Sequence, residues 1–537
     1  MKYRHLSKKA AVLFLTIILA LTACNRYTTK TTPVSQEAYT VPTGVSVPEK
    51  TQLVTESIEE EDPTSDLTDA QVDASKDISI SKTVDADDDL AKELLTLPGV
   101  VKVGTDPKFE ENQYLIYYEM PIDHNDPGKG TFVQRLYLYY RGKDAPNVFN
   151  IGGYNIYCGV LGEKENMLSE RYNCNFFEPE YRFDGLSRPE GFTSSNTENW
   201  EYLTCAQASE DYHFMIESLK SQFSGKWCIE GMSKGGEFTA YQAGKHPEDA
   251  ELFIAESAML KNCDGFPGLY EYCYTTAGDD TFGKEKAKEY RDMLLQFQVE
   301  LIKNRDVLQD EYWKKANELY HEEFSSTFTK ELLFDCSVLD LNYIWQFAMT
   351  EEFDSVREAL EVKDDPNLFP QYAINAMTEI YGPWQYAVTY RKDLWEQGTI
   401  YNYLFQCFHE DGYYAYDFSY LRKALEKDGS GASLYVTEDM EKDLFKLRIQ
   451  ADHQKQFSFS RDAVDTRLKA VETTEKPLIL VNPTTDVHYI AEVTESNNPN
   501  VHIFPVIGGG HGDSEWNSLT EEQLAEYDKI VKAALGI

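Results

Sequence analysis

The sequence predicts an α/β fold: a mostly parallel, buried sheet interrupted by a large helical insertion. Three observations carry that expectation. Short β-type apolar runs ("APNVFNIGG", "GKWCIEG", "DAELFIAESA", "KPLILVNP", "NVHIFPV") alternate with helix-period segments. Strands buried on both faces by crossover helices read this way. The run "CIEGMSKGGEF" sets Ser233 between Gly231 and Gly235, with a strand leading in and a helix leading out. That spacing lifts a serine hydroxyl to the top of a sheet. Between about Tyr270 and Ala470, helix-patterned, aromatic-rich sequence separates the early strands from the late ones.

Taken in order, the chain opens with basic "MKYRHLSKK" and apolar "AAVLFLTIILALTA", closed by "LTAC". The apolar run is too short for a comfortable membrane span, and residues 1–23 read as a leader. "LTAC" resembles the bacterial lipobox, so Cys24 is expected to be the lipid-modified mature N-terminus. Lipid there would hold the protein at the cell membrane surface, extracytoplasmic and without a span. Residues 24–92 are rich in Thr, Ser, Glu, Asp and Pro and nearly free of aromatics. Such sequence buries too little apolar surface to offset its ordering entropy and reads as an acidic, disordered linker. The remaining residues, roughly 440, exceed one ordinary core and suit a catalytic domain carrying an insertion.

A formal charge of −40 argues against nucleic-acid or anionic-membrane partners, which need basic patches. Of nine cysteines, those after Cys24 are even in number, compatible with disulfides or with free core thiols, and no pairs are assigned. No C-x-x-C or clustered His/Cys spacing implies a structural metal.

The helix before the elbow follows polar cap candidates in "NTENWEYLTCAQASEDYHFMIESLKSQF", with Tyr202, Ala206, Tyr212, His213, Ile216 and Leu219 at helical spacing. Strand, Gly loop, helix, strand, Ser elbow, helix, strand is the core order of an α/β-hydrolase fold. In that fold an acid and then a histidine follow the serine on loops after strands. Asp486 in "KPLILVNPTTDVHY" and His511 in "VIGGGHGDSEW" meet both conditions. The expected triad is Ser233, Asp486 and His511, with Asp513, Glu515 and His488 as other conceivable partners. Backbone N–H groups of Lys234, Gly153 and Tyr154 are the expected oxyanion donors. No cofactor or metal is required by this chemistry.

Several stretches together resemble the S37 serine peptidases, tripeptidyl aminopeptidase-like enzymes related to the S28 prolyl carboxypeptidases. "MPIDHNDPGKGTFVQRLYLYYRG", "PEYRFDGLSRPEG" and "NWEYLTCAQASEDYHFMIESLKSQFSGKWCIEGMSKGG" carry the likeness, with Tyr181 where histidine is usual. "LVNPTTD" departs from the family's wording around the acid. The resemblance implies an aminopeptidase in which residues 93–270 and 471–537 form the hydrolase core. It also implies that residues 271–470 form a helical cap limiting access to short peptides or chain ends. Glu410, in a family-like segment with Gln406 and Gly412, and Glu180 are the expected anchors for a substrate α-ammonium. Tyr413, Tyr414 and Tyr416 could line a pocket or fill a core.

The expected function is an extracytoplasmic, lipid-anchored serine peptidase that cuts short peptides from the N-terminus of oligopeptides. The alternatives are an esterase with the same triad and a non-catalytic peptide-binding lipoprotein.

Overall fold

The computed structural model describes residues 88–537, apart from 105–108, 110, 159–162, 195, 321–327, 348–349 and 381–398. The leader, Cys24 and most of the expected linker lie outside the described residues. The first described element is a helix, Asp89–Leu94. Asp88 caps it by accepting the Ala91 N–H, and Ala91 and Leu94 are buried in the main core. The packed body therefore already includes residues assigned above to the linker. Two apolar residues at i and i+3 are too short a stripe to shift composition.

The sheet strands are β1 (Val100–Gly104), β2 (Gln113–Pro121), β3 (Thr131–Tyr139), β4 (Asn147–Asn150), β5 (Asn175–Pro179), β6 (Trp227–Met232), β7 (Leu252–Glu256), β8 (Leu478–Pro483) and β9 (Val501–Val506). They form one nine-stranded sheet ordered β1-β2-β3-β5-β4-β6-β7-β8-β9. Pairings β1–β2, β2–β3 and β3–β5 are antiparallel, and every pairing from β5 through β9 is parallel. This is the α/β-hydrolase arrangement. The order reverses at β4, with β5 on one side and β6 on the other. Loops leaving β4 and β6 therefore open a crevice at their C-terminal ends, where α/β sheets bind ligands.

Alternate strand residues sort to the two faces. Phe149, Ile229, Phe253 and Leu480 pack under the helices Cys205–Lys220, Lys234–Lys245 and Asp462–Thr473. Val148, Cys228, Ile254 and Val481 pack under Met167–Tyr172 and Glu521–Leu535. Burial on both faces explains the continuous apolar runs in the sequence. In the helix Cys205–Lys220, capped by Thr204, the buried stripe is Cys205, Ala208, Tyr212, Met215, Ile216 and Leu219. Ala206 faces solvent instead, because Cys205 rather than Ala206 begins the inward row.

Between β7 and β8 the chain builds helices from Leu269–Thr275 to Ser419–Asp428 around a second apolar cluster containing Phe297, Phe334 and Trp345. The return to the main body comes earlier than residue 471. Helix Asp462–Thr473 puts Ala463, Ala470 and Val471 into the main core, and Ala470 lies against Gly244 of the helix Lys234–Lys245. Its buried Arg467 pairs with Glu237 at 3.2 Å and Asp411 at 3.4 Å. The same guanidinium donates to the carbonyls of Leu260, Met259, Asn262 and Asp411. One side chain thus ties the elbow helix, the loop after β7 and the insertion together.

Eight cysteines among the described residues are free thiols, all but Cys263 buried. No helix among the described residues is long and apolar enough to cross a membrane.

Candidate active site

Ser233 sits at the end of β6 as the residue before the helix Lys234–Lys245, with φ 57° and ψ −123°. A left-handed φ on a non-glycine residue is strained and turns the side chain outward. Its neighbours explain the glycines. A Cβ on Gly235 would lie 1.8 Å from the Ile151 carbonyl oxygen, and one on Gly231 would lie 2.5 Å from the Gly235 backbone. Only glycine lets the helix start this close to β4. The Ser233 N–H donates to the Glu256 carbonyl at 2.8 Å, pinning the turn to β7.

The loop after β4 comes equally close. A Cβ on Gly153 would stand 3.3 Å from the Gly235 nitrogen and from the Lys234 side chain. The backbone of Gly153 and Tyr154 thus borders the N-terminus of the elbow helix, where amides are unpaired and the dipole favours negative charge. The Lys234 side chain points elsewhere: it is buried, with its ammonium 4.1 Å from the Tyr181 ring centroid and 4.7 Å from that of Tyr154.

His511 and Asp486 come together. His511 Nδ1 lies 2.5 Å from Asp486 Oδ2, both side chains buried. Asp513 is committed elsewhere, its Oδ2 accepting the Gly510 N–H at 3.0 Å. The histidine loop is clamped from both sides. The Ser257 hydroxyl donates to the His511 carbonyl at 2.8 Å, and the His511 N–H donates to the Gln346 carbonyl of the insertion at 2.6 Å.

His488 is the neighbour that sequence reading ranked too low. Its ring lies 5.2 Å from that of His511 and 5.5 Å from that of Tyr414. Gln346 Nε2 meets its Nε2 at 3.3 Å, and the Tyr414 hydroxyl meets its Nδ1 at 2.9 Å. Burial pushes its pKa down to about 4, against the opposing pull of Asp486. With Nε2 accepting from the Gln346 amide, a neutral ring carries its proton on Nδ1.

The other expected residues divide. Glu180 is fully buried, with Arg135 donating to both carboxylate oxygens and the Ser187 hydroxyl to one of them. Its oxygens are spent on the fold, which removes it as an ammonium anchor. Glu410 is buried at the start of helix Cys205–Lys220, accepting the Cys205 N–H at 2.7 Å. Burial and then Asp411 raise its pKa to about 8. Tyr414 reaches His488, whereas Tyr413 stacks on Phe445 and Tyr416 on Tyr270, which makes those two packing residues.

Among the described residues, two groups of metal-ligand type have donor atoms within 4.8 Å of one another: Asp486, His488 and His511, and His213, His246 and Asp249. The first group is hydrogen-bonded as described. In the second, the imidazoles stack at 4.1 Å and 10°. One ion cannot lie in both of two parallel ring planes, so that geometry does not chelate.

The chain resembles the prolyl tri/tetrapeptidyl aminopeptidase of Streptomyces mobaraensis, 29% identical over 272 residues, covering 50% of this chain and 53% of the relative. The probable serine protease EDA2 of Arabidopsis thaliana is 26% identical over 180 residues, 31% of this chain and 36% of that protein. The chain thus spans about half or less of the length of these curated relatives. An α/β fold family hydrolase from Bacillus anthracis str. Sterne aligns over 75% of this chain and 96% of its own, at 12% identity and a TM-score of 0.29. The sequence model of the PS-10 peptidase S37 family matches residues 81–400. That match runs from the first described helix through the elbow and well into the insertion, more than half of the chain, and the chain belongs to the PS-10 peptidase S37 family.

Proposed function

We propose that this protein is a serine peptidase that releases short peptides from the free N-terminus of oligopeptides, outside the cytoplasm and held to the membrane by lipid on Cys24. The observation that carries the chemistry is the 2.5 Å contact between His511 Nδ1 and Asp486 Oδ2, in a chain whose serine occupies a nucleophile turn. Membership of a peptidase family supports peptides as the substrate class. The "LTAC" sequence supports the anchor.

Asp486 accepts the Nδ1–H of His511 and so leaves the Nε2 lone pair to receive the Ser233 proton. Ser233 Oγ then attacks the scissile carbonyl. Amides of Lys234 and of the Gly153–Tyr154 loop stabilise the developing oxyanion, a contribution of about 3–4 kcal/mol per donor in such sites. His511 returns the proton to the leaving amine, and water releases the acyl group by the same steps in reverse roles.

In this reading the insertion is a cap. Gln346 and Phe347 lie on the histidine loop, consistent with a site open to chain ends rather than to folded protein. Glu410 is the remaining candidate to hold the substrate α-ammonium. The test is a matched pair of short peptides, one with a free amine and one N-acetylated. Cleavage of the free peptide at least about tenfold faster is expected. Equal rates would remove the aminopeptidase claim, and turnover of acyl esters without peptide cleavage would make the protein an esterase.

A further inference from the structure

Lys234 follows Ser233 directly, and the mechanism above uses its backbone amide but not its side chain. That side chain turns inward. It is 1% exposed, and its ammonium has no hydrogen-bond acceptor among the described residues. Four rings surround it instead: the ammonium lies 4.1 Å from the ring centroid of Tyr181, 4.7 Å from Tyr154, 5.8 Å from Phe238 and 5.9 Å from Tyr403. Burial raises the carboxyls of Asp184 and Glu237 and the ammonium pulls both back, yet neither accepts a hydrogen bond from it. A cation buried without an acceptor is costly, and ring faces attract it most strongly where water is excluded.

These contacts converge on the loop that carries the expected oxyanion donors. Gly153 has φ 76° and no side chain, so local sterics leave its peptide plane free to turn. The Lys234 methylenes lie against it, since a Cβ there would stand 3.3 Å from Lys234 Cγ and Cδ. The ammonium then meets the ring of the next residue, Tyr154. That residue is tied at two more points: its carbonyl accepts the Tyr181 N–H at 2.8 Å, and its ring meets that of Tyr403 from the insertion edge-on at 5.9 Å. The N–H groups of Gly153 and Tyr154 donate to no acceptor among the described residues, which leaves both available to a ligand.

We propose that the Lys234 side chain is a positioning residue for the oxyanion amides, holding the Gly153–Tyr154 loop against the nucleophile turn. The proposal rests on the reading of those amides as donors to the attacked carbonyl. One residue thereby sets both halves of the oxyanion site: its own N–H supplies the helix side, and its side chain aligns the loop side. Donors fixed before the reaction cost no reorganisation as charge develops on the oxygen. A loop free to turn would still admit the peptide but would meet the oxyanion less well, so its loss falls on kcat.

The test uses full-length protein, the best-cleaved of a panel of fluorogenic tripeptide amides with free N-termini, and the matching peptide trifluoromethyl ketone. The ketone carbonyl becomes a tetrahedral oxyanion when Ser233 adds to it. Lys234→Met keeps the backbone amide and most of the side-chain volume but removes the charge. It should lower kcat at least about tenfold with KM within about threefold, and weaken inhibition by the ketone by a similar factor. Tyr154→Leu removes the ring, and in that background Lys234→Met should cost less than about threefold. Lys234→Gln gives the same comparison if the methionine variant does not fold. Unchanged kcat, a loss confined to KM, unchanged ketone inhibition, or effects of the two substitutions that simply multiply would each overturn the proposal while the peptidase reading stands. If neither Lys234 variant folds, the side chain serves the fold and the proposal is overturned. If the unaltered protein cleaves no peptide of the panel and is not inhibited by the ketones, the reading of Ser233 fails and the proposal with it.

Discussion

The backbone N–H of His511 donates to the carbonyl of Gln346 at 2.6 Å, so the helical insertion holds the loop that carries the candidate base. The next glycine makes the contact possible: a Cβ on Gly510 would lie 2.7 to 2.8 Å from the Phe347 backbone. Gly510→Ala should push loop and insertion apart. A displacement of 1 Å in a catalytic group costs up to about a hundredfold in rate. The variant is expected to lose at least about tenfold in kcat with a smaller change in KM. Unchanged kinetics would mean that the insertion does not position His511.

The two aspartates near the histidine loop should separate cleanly. Asp486→Asn leaves the ring unoriented and should lower kcat by about 10⁴-fold. Asp513→Asn, which alters only an acceptor for the Gly510 amide, should cost about tenfold at most. The reverse ranking would transfer the acid's role to Asp513.

Much of the fold was legible in the sequence because the strands are short, apolar and buried on both faces. The runs around Val148, Ile229, Ile254, Leu480 and Phe504 all became strands of the sheet. Order and spacing also marked the turn at Ser233 and the two residues, Asp486 and His511, that lie 2.5 Å apart, while their catalytic roles belong to the proposed function. The surroundings of His511 were not marked. Ser257 and His488 reach it from the ends of β7 and β8, and Gln346 and Tyr414 join them because the insertion folds back over the end of the sheet; no local pattern marks a residue whose carbonyl or ring is used at long range. Glu180 misled for the same reason: its partners Arg135 and Ser187 are brought to it by strand pairing, not by sequence proximity.

His488 makes the acid side of the stability profile testable. Its pKa is about 4 in the folded protein and near 6.5 unfolded. Between those values the unfolded chain binds more protons, so stability contributed at this site is present above pH 6.5 and falls as the pH drops towards 4. The full loss is about 3 kcal/mol. Urea midpoints at pH 7 and pH 4.5 should differ more for the unaltered protein than for His488→Gln. Equal differences would mean that His488 is not buried in its neutral form.

Arg467 should matter to stability. Replacing it with methionine keeps much of the volume but leaves Glu237 and Asp411 without their cation and several carbonyls without a donor. Loss of one partner from a buried pair costs about 3–5 kcal/mol. Urea denaturation should report a loss of that order, and a change below about 1 kcal/mol would contradict the bridging role.

The central claim is that Ser233 is a nucleophile activated by His511. Treating the full-length protein with a fluorophosphonate and mapping the adduct by peptide mass spectrometry tests it most directly. The account predicts one adduct, on Ser233, that disappears in His511→Ala while the circular dichroism spectrum is unchanged. A folded protein that takes no label on Ser233, or that labels equally well without His511, would contradict it.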